Sequence, residues 1–314
     1  MKILVIGAGA VGTYCGAALA MAGHEVTFGV RNSRRRNITL EGLELTGPLG
    51  DFHIRNVSHT ADPAAVTGID IVLSTVKLYD ATSSARQWRV ALEASDIAIS
   101  LQDGVDGVER MRTCAPNTNV IAGLASTAGT SVSPGRVKYS CDTFSLTVGT
   151  APSGQHTVVR RLVESIGNER NPLKIAIDQV QDIEQAQWRR FLALATHAAL
   201  TCLIRLGAGA IYHDPALIEV ARRSIREIFD VGRADGVRLD YADNEKALAM
   251  LQALPDDMVA SMHHDLVSGR RLELDGLSGL VCRKGRVHGI ATPFHDFAYA
   301  CLKPHMGGGS AGLF

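Results

Sequence analysis

KILVIGAGAVG at residues 2–12 decides the fold. Lys2 to Ile6 is a short apolar run that stops at Gly7, and Val11 to Met21 is small and apolar before Gly23 offers a helix C-terminus. That order reads strand, turn, helix. GAGAVG satisfies the spacing G-x-G-x-x-G, in which glycines allow a tight turn and let the backbone approach a pyrophosphate. The helix N-terminus then presents free N–H groups and a positive dipole end to that anion. Gly7, Ala8, Gly9, Ala10, Val11 and Gly12 are therefore expected to cradle a dinucleotide. The other reading is a glycine-rich turn that merely packs helix on strand.

Working outward, a second strand runs from Glu25 to Val30. It carries no acid where an NAD enzyme would hold the ribose hydroxyl, and Arg31 follows it, with Arg34, Arg35 and Arg36 close behind. An arginine there pairs with a 2′-phosphate, so NADPH is expected over NADH; alternatively these arginines form a solvated basic loop. Residues 40–60 hold four turn-forming glycines and prolines between short β-prone pieces, as in a hairpin or irregular crossover. Strand signals resume at Asp70 to Thr75 and Ile97 to Ser100, with helices from about Asp80 to Leu92 and near Val108. Alternating strand and helix predicts a doubly wound parallel sheet. Residues 120–148 read as an antiparallel extension of it. Beyond about Asp178 the pattern is helical: Ile183 to Ile204, Leu217 to Asp235, Asn244 to Leu254, Arg271 to Val287 and His295 to Leu302. Met306 to Phe314 reads as a frayed tail. The expected fold class is α/β, an N-terminal Rossmann domain over residues 1–170 followed by an all-α domain over 171–314, with the active site in the cleft between them.

Composition narrows the function. The 314 residues suit two ordinary cores. The 32 basic residues balance the 32 acidic ones, which gives no nucleic-acid footprint and leaves a small molecule as the expected partner. The six cysteines are scattered without a CxxC, as buried thiols of a reducing compartment. No stretch approaches the ~20 apolar residues that span a bilayer, and the glycine-broken N-terminus is not a signal peptide. The cytoplasm is the expected address. His263 and His264 are adjacent rather than one helical turn apart, so no metal site is expected. No GxSxG elbow or P-loop supports hydrolase or phosphoryl-transfer chemistry.

The order of features resembles the ketopantoate reductase family over nearly the whole chain. KILVIGAGAVG, STVKLYD at 74–80, SLQDGVD at 100–106, QWRR at 187–190 and ASMHHDLVSGRRLELDGLSG at 260–279 carry the resemblance. It implies that Lys77, at the carboxyl end of a strand, helps hold cofactor and substrate, although an ordinary surface lysine would look the same. It implies that Glu273, matched in the last long helix, contacts the substrate hydroxyls and the cofactor side of the site, and that Ser261 contacts a substrate carboxylate. On a helix Glu273 and Asp275 would point about 200° apart, so only one could face the site. A homodimer is left open.

Four positions depart from the family pattern. Its catalytic lysine is Arg190 here, and an arginine keeps the charge but surrenders a proton far less readily than a lysine. Two helix asparagines are Leu194 and Ala198. The asparagine of a Q-N-G turn near the nicotinamide ribose is Asp103, which replaces a donor with a negative charge. His197, seven residues after Arg190 and on its helical face, is either a replacement proton donor or a buried structural histidine. The expected activity is NADPH-dependent reduction of a small 2-oxo acid or related ketone, with Arg190, Glu273 and Lys77 as catalytic groups. The alternatives are a paralogue reducing another carbonyl or an imine, and a silent NADPH-binding regulator.

Overall fold

The computed structural model describes residues 1–31, 42–126, 129–133, 135–140, 143–150, 156–166 and 171–309. They divide into two compact units, Met1–Ile183 and Glu184–Phe314. Among the described residues the first unit holds an eight-stranded sheet in the order β12-β11-β8-β7-β6-β1-β2-β5. These strands are β1 (Lys2–Ile6), β2 (Glu25–Gly29), β5 (Ser58–Thr60), β6 (Ile71–Ser74), β7 (Ile97–Ser100), β8 (Val120–Ser126), β11 (Phe144–Gly149) and β12 (Ile175–Val180).

The apolar runs become central parallel strands because both of their faces are covered. Ile3 and Val5, Ile71 and Leu73, and Ile97 and Ile99 enter one core, while Leu4, Ile6, Val72 and Ala98 enter the other. The first core is closed by α1 (Ala10–Met21) and α5 (His156–Ile166), the second by α2 (Leu78–Gln87), α3 (Arg89–Ala94) and α4 (Gly107–Cys114). This is a doubly wound, three-layered Rossmann arrangement. Its strand order reverses between β1 and β6, where ligands bind at the carboxyl ends of the strands.

Residues 120–148 form two structures rather than one antiparallel extension. β8 runs parallel to β7, and β11 returns antiparallel to β8. Between them β9 (Gly129–Ser133) and β10 (Arg136–Tyr139) join the hairpin of β3 (Leu43–Thr46) and β4 (Phe52–Ile54) in a second, four-stranded sheet. β12 pairs in parallel with β11, so residues 171–183, placed in the helical half by the sequence reading, belong to the first unit.

The second unit is all-α among its described residues: α6 (Ile183–Ile204, which begins on the last residue of the first unit), α7 (Ala208–Tyr212), α8 (Pro215–Ala234), α9 (Tyr241–Gln252), α10 (Ser261–Val267), α11 (Ser278–His288) and α12 (Pro293–Leu302). The expected helix from Arg271 is not continuous. Residues 271–273 are not helical, Leu274–Gly276 make a single 3-10 turn, and α11 starts only at Ser278. Nor are residues 306–309 frayed: Leu272 N–H donates to the Met306 carbonyl at 3.1 Å and Gly309 N–H to that of Gly269 at 3.0 Å. Among the described residues no helix is long and apolar enough to cross a membrane.

Candidate active site

The glycine loop sits on the switch point between β1 and β6. Gly7 has φ +107°, a conformation side chains disfavour, and the Thr75 hydroxyl donates to its carbonyl at 2.9 Å and to that of Ile6 at 3.1 Å. A Cβ on Gly12 would lie 2.0 Å from the Gly7 carbonyl oxygen, so α1 can pack this close only with glycine there. A Cβ on Gly9 would meet nothing within 4 Å. Gly9 is also the N-cap of α1 and has no side-chain cap, so no capping side chain occupies the first-turn N–H groups. Ala8 is buried beneath the turn, and Ala10 and Val11 form the first turn of α1. Tight turn, close helix approach and open room before a helix N-terminus are the three demands of a pyrophosphate cradle. The residues present fit a dinucleotide.

Two neighbouring loops close on this point. Lys77 is the N-cap of α2, three residues beyond the end of β6. Asp103 follows β7, on a loop held by buried polar groups: the Gln102 amide donates to Ser74 Oγ at 2.7 Å and accepts from Ser100 Oγ. Gly104, with φ +117°, turns the chain after Asp103. At the end of β2, exposed Arg31 forms an ion pair with Asp80 at 3.1 Å. Arg34, Arg35 and Arg36 lie outside the described residues.

In the helical unit α6 is buried along most of the stretch from Gln187 to Cys202. From Arg190 to Cys202 only Arg190 and Leu194 are partly open, and His197 and Thr201 continue the same stripe inward at helical spacing. Ala198 beside it is buried. Arg189 is pinned to buried Asp243 at 3.1 Å and Trp188 packs on Gly232, so of the QWRR segment it is Arg190 that lies on this stripe. His197 Nδ1 shares a hydrogen bond with the Tyr212 hydroxyl at 3.0 Å, while its Nε2 is buried without a partner. Burial, aided by the charge of His263, lowers its pKa to about 4, so it is neutral at pH 7.

Glu273 is not on a helix, which corrects the sequence reading. It caps the 3-10 turn, its carbonyl accepting from Gly276 N–H at 2.9 Å, and it is buried between Leu272 and Leu274. The contrast with Asp275 persists for another reason. Asp275 turns outward into an ion pair with Arg283 at 2.8 Å and accepts from the Tyr299 hydroxyl at 3.4 Å. Ser261 is the exposed first residue of α10. Among the described residues no three His, Cys, Asp or Glu side chains cluster as a metal site.

The family model described as Ketopantoate reductase PanE/ApbA matches residues 3–153, and that described as Ketopantoate reductase PanE/ApbA C terminal matches residues 182–306. The chain belongs to the ketopantoate reductase family. The 2-dehydropantoate 2-reductase of Caulobacter vibrioides is 30% identical to it, over 96% of this chain and 98% of the relative. A crystal structure of a PanE/ApbA family ketopantoate reductase from Ralstonia eutropha JMP134 covers 98% of both chains at 29% identity with a TM-score of 0.86. A ternary structure of D-mandelate dehydrogenase with NADH and anilino(oxo)acetate, 18% identical over 98% of both chains, shares the fold with a TM-score of 0.86.

As a member of the ketopantoate reductase family the chain is an oxidoreductase acting on a CH–OH/C=O pair, and its glycine cradle suits the nicotinamide cofactor of such enzymes. Sequence reasoning missed Thr75, Ser74 and Gln102, which lock the cradle and its neighbouring loop, and Tyr212, which orients His197. A hydroxyl beside the lysine motif at Thr75 was the one legible signal.

Proposed function

We propose that the chain is an NADPH-dependent reductase of a small 2-oxo acid or related ketone, acting in the cytoplasm. The cradle at Gly7, Gly9 and Gly12, with Lys77 at the adjoining strand end, carries this reading. The cofactor, when bound, supplies the hydride. Arg190 and Lys77 stabilise the charge that develops on the carbonyl oxygen. Glu273 accepts a hydrogen bond from a substrate hydroxyl, Ser261 orients the substrate carboxylate, and Asp103 faces the nicotinamide ribose. A homodimer is proposed from likeness of fold to the dimeric ketopantoate reductase of Staphylococcus aureus.

Arg31 supports NADPH over NADH, because it stands where NAD enzymes carry an acid, and its exposed ion pair with Asp80 costs little to exchange for a 2′-phosphate. Arg31→Ala is expected to raise the KM for NADPH about tenfold or more and leave that for NADH nearly unchanged, as for loss of one charged hydrogen bond. Equal use of both cofactors by the unaltered protein would contradict this.

Leu194 and Ala198 favour a second reading, in which the same chemistry serves a carbonyl substrate with a larger apolar substituent. A steady-state panel of ketopantoate, phenylglyoxylate, other 2-oxo acids, diketones and imines separates the two. Ketopantoate is expected to be reduced slowly, and Arg190→Lys combined with Leu194→Asn to raise its rate. Rapid turnover of ketopantoate by the unaltered protein would show that arginine suffices.

A further inference from the structure

Arg190 holds positive charge but surrenders a proton poorly, so the reaction lacks an acid wherever it is written with Arg190 alone. The helical unit contains an unused candidate. His197 lies two turns deeper than Arg190 on the stripe of α6, below half-open Leu194, and its Nε2 is buried without a partner. Its Nδ1 is fixed by Tyr212 of α7, a phenol whose ionisation burial disfavours and whose neutral hydroxyl donates to a bare Nδ1 or accepts from a protonated one. With Tyr212 donating to Nδ1, the imidazole proton resides on Nε2. On α10, His263 also has both ring nitrogens buried and without a partner, and it lies close enough to act electrostatically on His197. Unpartnered buried nitrogens are costly and rare in folded proteins. Here they occur on His197 of α6 and His263 of α10, which are close enough to act on each other electrostatically.

We propose that His197 is the proton donor of the reaction, oriented by Tyr212, with the carbonyl oxygen of an anionic 2-oxo acid completing the hydrogen bond that its Nε2 lacks. This rests on the reductase reading above. The carbonyl carbon gains the hydride, the C=O π pair moves to oxygen, and that oxygen takes the Nε2 proton of the imidazolium that forms when the substrate carboxylate binds, leaving a neutral imidazole protonated on Nδ1 with the Tyr212 hydroxyl accepting from it. The imidazole regains its proton from water. The groups that act on His197 are Tyr212 on α7 and His263 on α10; Arg190 lies two turns away on its own helix, and Asp265 and Arg205 act on neighbouring Cys202. A substrate carboxylate brought into this setting favours the imidazolium. Binding therefore takes up a proton; kcat/KM for reduction, which follows the free protein, falls as pH rises through about 4, while kcat, which follows the bound complex, holds to higher pH.

Calorimetric titration of ketopantoate and phenylglyoxylate into the protein loaded with NADP, in buffers of different ionisation heat, is expected to show proton uptake that disappears in His197→Gln. In turnover, His197→Gln is expected to lower kcat about a hundredfold, the usual scale of general acid catalysis, and to flatten the pH profile. Adding Arg190→Lys to it should restore rate with a profile moved to higher pH. Tyr212→Phe should lower kcat with KM little changed and the melting temperature lowered only by the loss of one buried hydrogen bond, which keeps the test available if His197→Gln fails to fold. Binding without proton uptake, or a pH profile unchanged in these variants, would overturn the assignment while leaving the reductase reading intact. Failure of every 2-oxo acid to bind would overturn both.

Discussion

Gly9→Val is expected to abolish NADPH binding while the protein keeps its fold. The space before Gly9 is open to 4 Å, so the added side chain strains nothing, yet it stands over the uncapped N-terminus of α1 where a pyrophosphate must lie. A loss of at least a hundredfold in affinity, about 2.7 kcal/mol, is expected. Gly12→Val should behave oppositely. Its Cβ would stand 2.0 Å from a backbone carbonyl oxygen, a clash no rotamer relieves, and α1 must separate from β1. The first variant should melt with the unaltered protein, the second well below it. Titration of NADPH fluorescence and thermal denaturation read both effects. Undiminished NADPH binding by Gly9→Val would place the cofactor elsewhere.

Glu273→Gln is expected to lower kcat/KM ten- to a hundredfold, the effect of losing a charged hydrogen bond worth about 1.5–3 kcal/mol. NADPH affinity and melting temperature should stay nearly unchanged, since the amide fills the same volume. The carboxylate is held in a buried turn whose preceding strand of backbone is fastened to residues 306–309, so it is presented rigidly. Asp275→Asn is the internal control. Its side chain is 47% exposed and its pair with Arg283 is a surface ion pair, worth about 0–1 kcal/mol at most. Near-silence of Glu273→Gln beside a costly Asp275→Asn would reverse the assignment.

The fold was legible where one physical demand governs a stretch of residues. Lys2 to Ile6 reads as a strand because burial on both faces requires an unbroken apolar run, and the glycine spacing follows from the turn and the close helix. α6 was equally clear, its bounds Ile183 and Ile204 set by a long apolar segment that ends before Gly207. The site was less so. Glu273 looked helical because the apolar spacing of Leu274, Leu277 and Val281 is helical and runs back toward it, and Gly276 and the backbone bonds to the C-terminal segment break it. Gln102 and Ser74 meet across 28 residues only through the parallel register of β6 and β7. The partner of His197 lies on α7, a five-residue helix too short for periodicity to reveal.

The central claim is hydride transfer to a carbonyl carbon, and label transfer tests it most directly. The protein is given NADPH deuterated at the transferable C4 position together with a 2-oxo acid from the panel, and the 2-hydroxy acid product is examined by mass spectrometry and NMR. The account predicts one deuterium on the carbinol carbon, in one stereochemical sense, and loss of that label in Glu273→Gln in proportion to its lost turnover. NADPH consumed without label reaching the carbinol carbon, or NADPH bound tightly with no product formed from any 2-oxo acid or ketone, would contradict it.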